Sequence, residues 1–399
     1  MRGARKILRV FGIDILIHYS WWFVFILLTW SLAASFFPGL CSGELVEGVV
    51  ISGCADLPKL QYWIMGMVAS ILLFVSVLLH ELSHSLVARM RKIKVHSITL
   101  FFFGGVAGIE SEDLKPSSEF LMAVAGPLFS LFLSGIFYLI FRLNGNDFWT
   151  AIAFYLYQLN FVLALFNLVP GYPLDGGRAF RAALHHYYKD LKKATRIAST
   201  GGRIFAVFMI VMGLLSILGG AFSGLWFVFL GGFLYFIAGV SYEQVVLKET
   251  LSKISVKEIL VKNYQTLDPE MKFYDFIKKY AGSDEDIFLV KGKNFSGIFD
   301  LKTLGKINQQ MQKTLKIKQL SVPLSEVKGL SGSDDAYTAF REFAEQKVDL
   351  LPVMDKNKFL GFVTRRAVMN RLVWSLKYGF DGSSRDDKIK KLEKKKMKN

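Results

Sequence analysis

Val75–Met90 reads VSVLLHELSHSLVARM, an apolar run that closes on two histidines and a glutamate. Such groups are costly in hydrocarbon, and an ionisable residue at membrane depth marks a functional site by default. On a helix, His80 and His84 lie four residues apart on one face, so both can grip one metal ion. Glu81 sits between them, close enough to act on a metal-activated water without being a ligand. Neutral imidazoles suit zinc, and a catalytic zinc takes three protein ligands and keeps a place for water. The plain alternative is a polar helix end snorkelling to the interface.

Working outward, a helix needs about 20 apolar residues to cross a bilayer. Uncharged runs extend over Tyr19–Phe37, Gln61–Leu79, Phe120–Phe141 and Phe148–Leu174. A fifth, Ile204–Tyr242, is too long for one span, and GGAFSG at Gly219–Gly224 offers a turn that splits it. That predicts six spans. The N-terminal MRGARKILRV leads into a full-length span rather than a short apolar core with a small-residue cut site. Orientation follows the loop charges. Arg2, Arg5, Lys6 and Arg9 before the first span, Arg89, Arg91, Lys92 and Lys94 after the second, and Arg178 through Arg196 after the fourth set the cytosolic side. The loop carrying Glu44, Glu47 and Asp56 faces out, and both termini are cytosolic. The two cysteines, Cys41 and Cys54, share that outer loop. Two unrelated small residues are expected there, with a pair as the alternative if the loop meets an oxidising compartment.

A third ligand is required. FNLVPGYPLDGGRAF closes the fourth run and brings Asp175 to the depth of the histidines, with prolines and glycines breaking the helix so that a carboxylate can turn back. An Asp-Gly-Gly turn capping the next helix is the bland reading. HELSH on one span and N…P…PLDGG at the end of a later one resemble the site-2 proteases, intramembrane zinc metalloproteases. FGIDILIHYS, FFFGGVAGIE and AVAGPLFSL support the resemblance, which covers about residues 10–245. It implies that His80, His84 and Asp175 bind one Zn2+, that Glu81 is the general base, and that Asn167 donates to the substrate backbone or the oxyanion. SITLFFFGGVAGIES reads as a membrane-associated β-hairpin around Gly104 and Gly105, whose free edge can take an extended substrate by strand addition. A hairpin that merely plugs the bundle is the alternative. His18, His96, His185 and His186 are not assigned as ligands.

After Glu243 the composition becomes that of a soluble α/β domain with an internal repeat. DIFLVKGKNFSGIFDLKTL at Asp286–Leu304 parallels DLLPVMDKNKFLGFVTRRAV at Asp349–Val368, each preceded by an amphipathic helix. This resembles a tandem of cystathionine-β-synthase (CBS) modules, about 252–310 and 317–376. Such pairs hold adenine nucleotides with a Thr or Ser after the last strand and an Asp three residues on. Thr364 is present but Ala367 replaces the Asp; in the first repeat Asp300 and Thr303 stand in those places, so both repeats depart from the pattern at the residue that contacts the ribose. A nucleotide-gated switch and a dimerisation module that binds no nucleotide both stand, and the resemblance allows a homodimer through the pair.

The expected organisation is a six-span α-helical membrane metalloprotease domain at 1–245, a cytosolic α/β CBS pair at 246–378 and a basic tail at 379–399. Net charge is +16, but the excess borders the spans and fills the tail, which suits anionic lipid rather than nucleic acid. The partners implied are a membrane-anchored protein substrate and the lipid bilayer. A CBS-regulated metal-ion transporter or channel is the competing class. It should show repeated halves or polar groups at mid-membrane depth in several spans, whereas here the ionisable groups cluster on two.

Overall fold

The computed structural model describes 3–378 except 44–50, 52–53, 55–56, 103, 111–113, 144–146, 262–263, 284, 294, 302–303, 305–306 and 356–357. Thr303 and the basic tail therefore lie outside the described residues. The chain divides into two compact units, Met1–Glu243 and Gln244–Asn399.

In the first unit, strands β1 (Ala4–Val10) and β2 (Ile13–His18) precede α1 (Ser20–Ser31), a π-helical turn at Leu32–Phe36 and α2 (Phe37–Ser42). Then come α3 (Lys59–Met90), β3 (Lys94–Phe101), β4 (Gly104–Glu110), α4 (Pro116–Leu143), α5 (Asp147–Asn167), α6 (Asp175–Tyr188), α7 (Leu191–Leu218) and α8 (Gly224–Leu251), whose residues from Gln244 on belong to the second unit. Among the described residues, six helical segments are long and apolar enough to cross a membrane: Ser20–Ser42, α3, α4, Phe148–Asn167, α7 and α8. Apolar side chains such as Ile204, Phe208, Val211 and Leu215 on α7 are exposed, as a lipid-facing surface requires.

Three features differ from the sequence reading. First, the second span does not stop at the histidines. No proline or glycine follows them before Met90, so α3 runs a further turn and a half beyond His84. Second, the fourth span ends at Asn167, and Asp175 opens a helix of its own after the loop at 168–174. Third, the hairpin is half of a four-stranded sheet in the order β1-β2-β3-β4. β2 pairs in parallel with β3, Asp14 opposite Ser97 through Ile17 opposite Leu100, and Phe101 faces Gly104 across the β3–β4 turn. The turn thus precedes Gly104, and both glycines belong to β4. Ile13, Ile15, Val95 and Ile98 bury the sheet against Leu82 and Ala88 of α3 and Met122 of α4.

At the other end of α3, Cys41 and Cys54 form a disulfide with Cα atoms 5.3 Å apart, correcting the expectation of unpaired residues. Both cysteines are buried with Phe37, Leu40, Tyr62, Met65 and Leu156, and the Tyr62 hydroxyl donates to the Cys54 carbonyl at 2.6 Å.

The second unit contains β5 (Thr266–Leu267), α9 (Phe273–Tyr280), β6 (Ile287–Lys291), β7 (Ser296–Asp300), α10 (Gln309–Thr314) and β8 (Val322–Pro323). It continues with β9 (Leu330–Ser331), α11 (Ala336–Gln346), β10 (Leu350–Asp355), β11 (Lys358–Thr364) and α12 (Arg365–Tyr378). The sheets β5-β6-β7-β8 and β9-β10-β11 repeat one scheme. A short strand pairs in parallel with the first arm of an antiparallel hairpin, and the amphipathic helix between them (α9 or α11) packs on the sheet.

Closing a loop of this size by a disulfide is worth about 2–4 kcal/mol. Cys41→Ser with Cys54→Ser is therefore expected to lower the thermal midpoint of the detergent-solubilised protein. The same change should follow reduction of the wild type, measured by the unfolding transition with and without reductant.

Candidate metal centre

His80 and His84 project from one face of α3 and are each only 4% exposed. Their Nε2 atoms lie 3.2 Å apart, and Asp175 Oδ2 lies 3.2 Å from the first and 3.1 Å from the second. A tetrahedral ion with bonds of about 2.0–2.1 Å holds its ligand atoms about 3.3 Å apart, so these three atoms describe one face of such a site. Among the described residues they are the cluster of His, Cys, Asp and Glu donors that can hold a metal.

The other ring nitrogens are already engaged. His84 Nδ1 donates to the Met122 carbonyl at 2.5 Å, which fixes the tautomer that leaves Nε2 free to bind a cation. His80 Nδ1 lies 2.8 Å from Ser130 Oγ, a fully buried hydroxyl, and the same tautomer is served there. Both partners come from α4. Between them, four residues from each, is Gly126. A Cβ added to Gly126 would lie 2.2 Å from His84 Nε2 and 2.6 Å from His80 Nε2. The residues fit the metal: free Nε2 atoms, a convergent carboxylate, and a glycine that keeps the coordination space open. Gly126 and Ser130 lie within AVAGPLFSL and Met122 immediately precedes it, so the three share one helical face, but the motif alone does not declare what that face touches.

Asp175 is placed by close backbone packing. The loop at 168–174 lies against α7, where Tyr172 N donates to the Ala198 carbonyl at 3.0 Å. A Cβ on Gly202 would stand 1.9 Å from the Tyr172 carbonyl oxygen, so α7 admits the loop only because that residue is glycine. Burial alone would raise the Asp175 carboxyl. Hydrogen bonds with His80 and His84, and the charge of Arg178, outweigh it and hold the group well below the usual carboxylate range. Arg178 Nη1 is 3.8 Å from Asp175 Oδ1, the oxygen turned away from the histidines.

Glu81 runs beneath β4. A Cβ on Gly105 would meet Glu81 Cγ at 2.4 Å, so the Gly104–Gly105 backbone rests directly on this side chain. Among the described residues β4 is the last strand of its sheet and offers one edge without a partner strand. Asn167, at the end of α5, spends one amide hydrogen on the Leu163 carbonyl of its own helix at 3.0 Å. His18 instead contacts Ser20 Oγ, 2.9 Å from its Nδ1.

The model of peptidase family M50 matches residues 68–148 and 142–212, and that of the CBS domain matches 318–373. Rip3 of Mycobacterium tuberculosis, which carries a zinc metalloprotease assignment, is 31% identical over 335 residues, covering 82% of each chain. The zinc metalloprotease MJ0392 of Methanocaldococcus jannaschii is 36% identical over 239 residues, 58% of this chain and 66% of that one. Among solved structures, the site-2 protease from Methanocaldococcus jannaschii matches at 29% identity and a TM-score of 0.39, covering 59% of this chain and 94% of that chain. The chain belongs to peptidase family M50, the site-2 proteases. It is an integral-membrane zinc metalloprotease with a C-terminal CBS domain, which decides against the transporter class.

Gly126→Ala should lose most of its bound zinc while remaining folded, because the added methyl occupies the coordination space. Metal content of the purified variant against wild type checks this.

Proposed function

We propose that this metalloprotease hydrolyses peptide bonds within or near the transmembrane segments of membrane-anchored proteins, releasing fragments by regulated intramembrane proteolysis. The observation that carries the proposal is the convergence of His80, His84 and Asp175 on one point beside Glu81, with a free strand edge above it. His80, His84 and Asp175 are the zinc ligands. Zinc, when bound, supplies Lewis acidity toward water and the scissile carbonyl. Glu81 takes a proton from the attacking water and delivers it to the leaving amine. A substrate helix resists cleavage because its carbonyls are bonded internally, so it must be held extended. The β4 edge at Gly104 and Gly105 supplies backbone partners for that, and the second amide hydrogen of Asn167 is available to the substrate backbone or oxyanion.

The active site faces the cytosol and both termini are cytosolic. The basic loops support this orientation, and so does the disulfide. Cys54 joins the first turn of α3 through Tyr62, whereas His80 lies about 30 Å further along the helix at 1.5 Å per residue. A disulfide belongs to an oxidising compartment, which supports a metal centre toward the reducing side. The working units are 1–245, the CBS pair at 246–378 and the tail at 379–399.

The CBS pair regulates the protease by taking an adenine nucleotide, and it supports a homodimer. A cleft of about 600 Å³ in the second unit is lined by Tyr264, Asp286, Asp349, Thr364 and Arg366 among others. Thr364 Oγ1 accepts from Ala367 N at 3.1 Å, so the hydroxyl caps α12 at the cleft. Ala367 brings no carboxylate, and Asp286 or Asp349 must serve the ribose instead.

Glu81→Gln is expected to keep zinc and to lose cleavage of a model transmembrane substrate by at least about 10²-fold. Retained cleavage by the purified variant would contradict the assignment. For the cleft, labelled ATP should bind the full-length protein in equilibrium dialysis, and Arg366→Ala should weaken it. Absence of binding by the wild type would leave the non-binding dimerisation reading.

A further inference from the structure

Asp175 belongs to a different helix from the histidines, so something must hold α6 in register with α3. The first two turns of α4 touch both. Its Met122 carbonyl accepts from His84 Nδ1, as described, and three residues earlier Glu119 reaches toward α6. Glu119 is 2% exposed, and its Oε1 accepts from Arg181 Nε at 2.8 Å and also from Arg181 Nη2. The Arg181 side chain is itself only 12% exposed. Its guanidinium also lies over the Tyr172 ring, 4.8 Å from the centroid. Tyr172 stands three residues before Asp175, in the loop that delivers the ligand.

A buried ion pair is a weak source of stability, because desolvating both charges offsets most of their attraction. A planar guanidinium fixed on one side by a carboxylate and on another by an aromatic face is, however, a precise spacer. Arg181 is six residues beyond Asp175 on α6, and the Tyr172 ring is three residues before it, so the clamp brackets the ligand in the chain. Neither Glu119 nor Arg181 belongs to the donor cluster itself.

We propose that Glu119 and Arg181, acting through Tyr172, are positioning residues that hold Asp175 against His80 and His84, so that the affinity for zinc depends on this clamp. The proposal rests on the reading of His80, His84 and Asp175 as zinc ligands. Removing the clamp lets α6 and its loop shift while the imidazoles stay in place on α3, and the carboxylate then leaves the coordination distance.

The test is zinc affinity of the full-length protein in detergent, by competition with a chelator, at a temperature where the zinc-free form of each variant is folded. Arg181→Lys keeps the charge but loses the fork and the stacking. Glu119→Gln removes the carboxylate charge, and Tyr172→Leu removes the aromatic face alone. We expect zinc binding about fivefold or more weaker in Arg181→Lys and Glu119→Gln, a threshold set below the roughly 10–100-fold usual for residues bonded directly to metal ligands because the clamp acts one contact further out. In zinc-saturated protein, kcat should fall with KM nearly unchanged. A purely structural role would lower the unfolding midpoint of the zinc-free protein and leave zinc affinity alone. If Glu119→Gln does not fold, Arg181→Lys and Tyr172→Leu decide the question. Affinity changed less than fivefold in those variants, while His84→Ala fails to bind zinc, would overturn the clamp. Wild-type zinc binding by His84→Ala would instead overturn the ligand reading on which it rests.

Discussion

The contact between one face of α4 and the two imidazoles of α3 is the constraint on which the membrane unit depends. A cation site in an apolar bundle needs its ligand atoms aimed inward, their outer nitrogens satisfied, and room left at the centre. Met122, Gly126 and Ser130 meet these three demands from successive turns of a single helix. A side chain at 126 would fill the centre, and an apolar residue at 130 would leave a buried ring nitrogen without a partner. The rest of the unit brings the remaining groups to this face. α7 admits the loop that carries Asp175, and the sheet lays β4 over Glu81.

The sheet links the first span to this centre. β2 leads directly into α1 and pairs with β3, whose partner β4 rests on Glu81. Ser20, the first residue of α1, accepts the backbone N–H of Phe102 at 3.2 Å, in the β3–β4 turn. The start of the first span and the strand edge above Glu81 therefore share one hydrogen-bonded framework.

The three donors that converge, His80, His84 and Asp175, were readable in the sequence because their information is local. Four-residue spacing puts His80 and His84 on one face, and Pro-rich punctuation before Asp175 announces a chain that turns. The six spans and the tandem repeat were readable for the same reason, as long apolar runs and as similarity at a fixed offset. What escaped was packing between distant segments. β1 exposes nearly every residue and has no buried alternation, so it reads as a basic stretch ahead of the first span rather than a strand. Gly126 and Gly202 matter only for what faces them across a helix contact, which no periodicity in their own segments declares. The disulfide depended on knowing that Cys41 and Cys54 meet and which compartment they face. The end of the fourth span was overrun because the apolar pattern continues through Leu168 and Val169, beyond the last helical turn.

The central claim is that a single zinc is held by two imidazoles from α3 and one carboxylate from α6. X-ray absorption at the zinc edge of the purified wild-type protein tests it most directly. The account predicts a light-atom shell at about 2.0–2.1 Å containing two imidazole nitrogens and oxygen donors, with no sulfur. A shell with fewer than two imidazoles, a sulfur contribution, or protein purified without stoichiometric zinc despite full protease activity would contradict it.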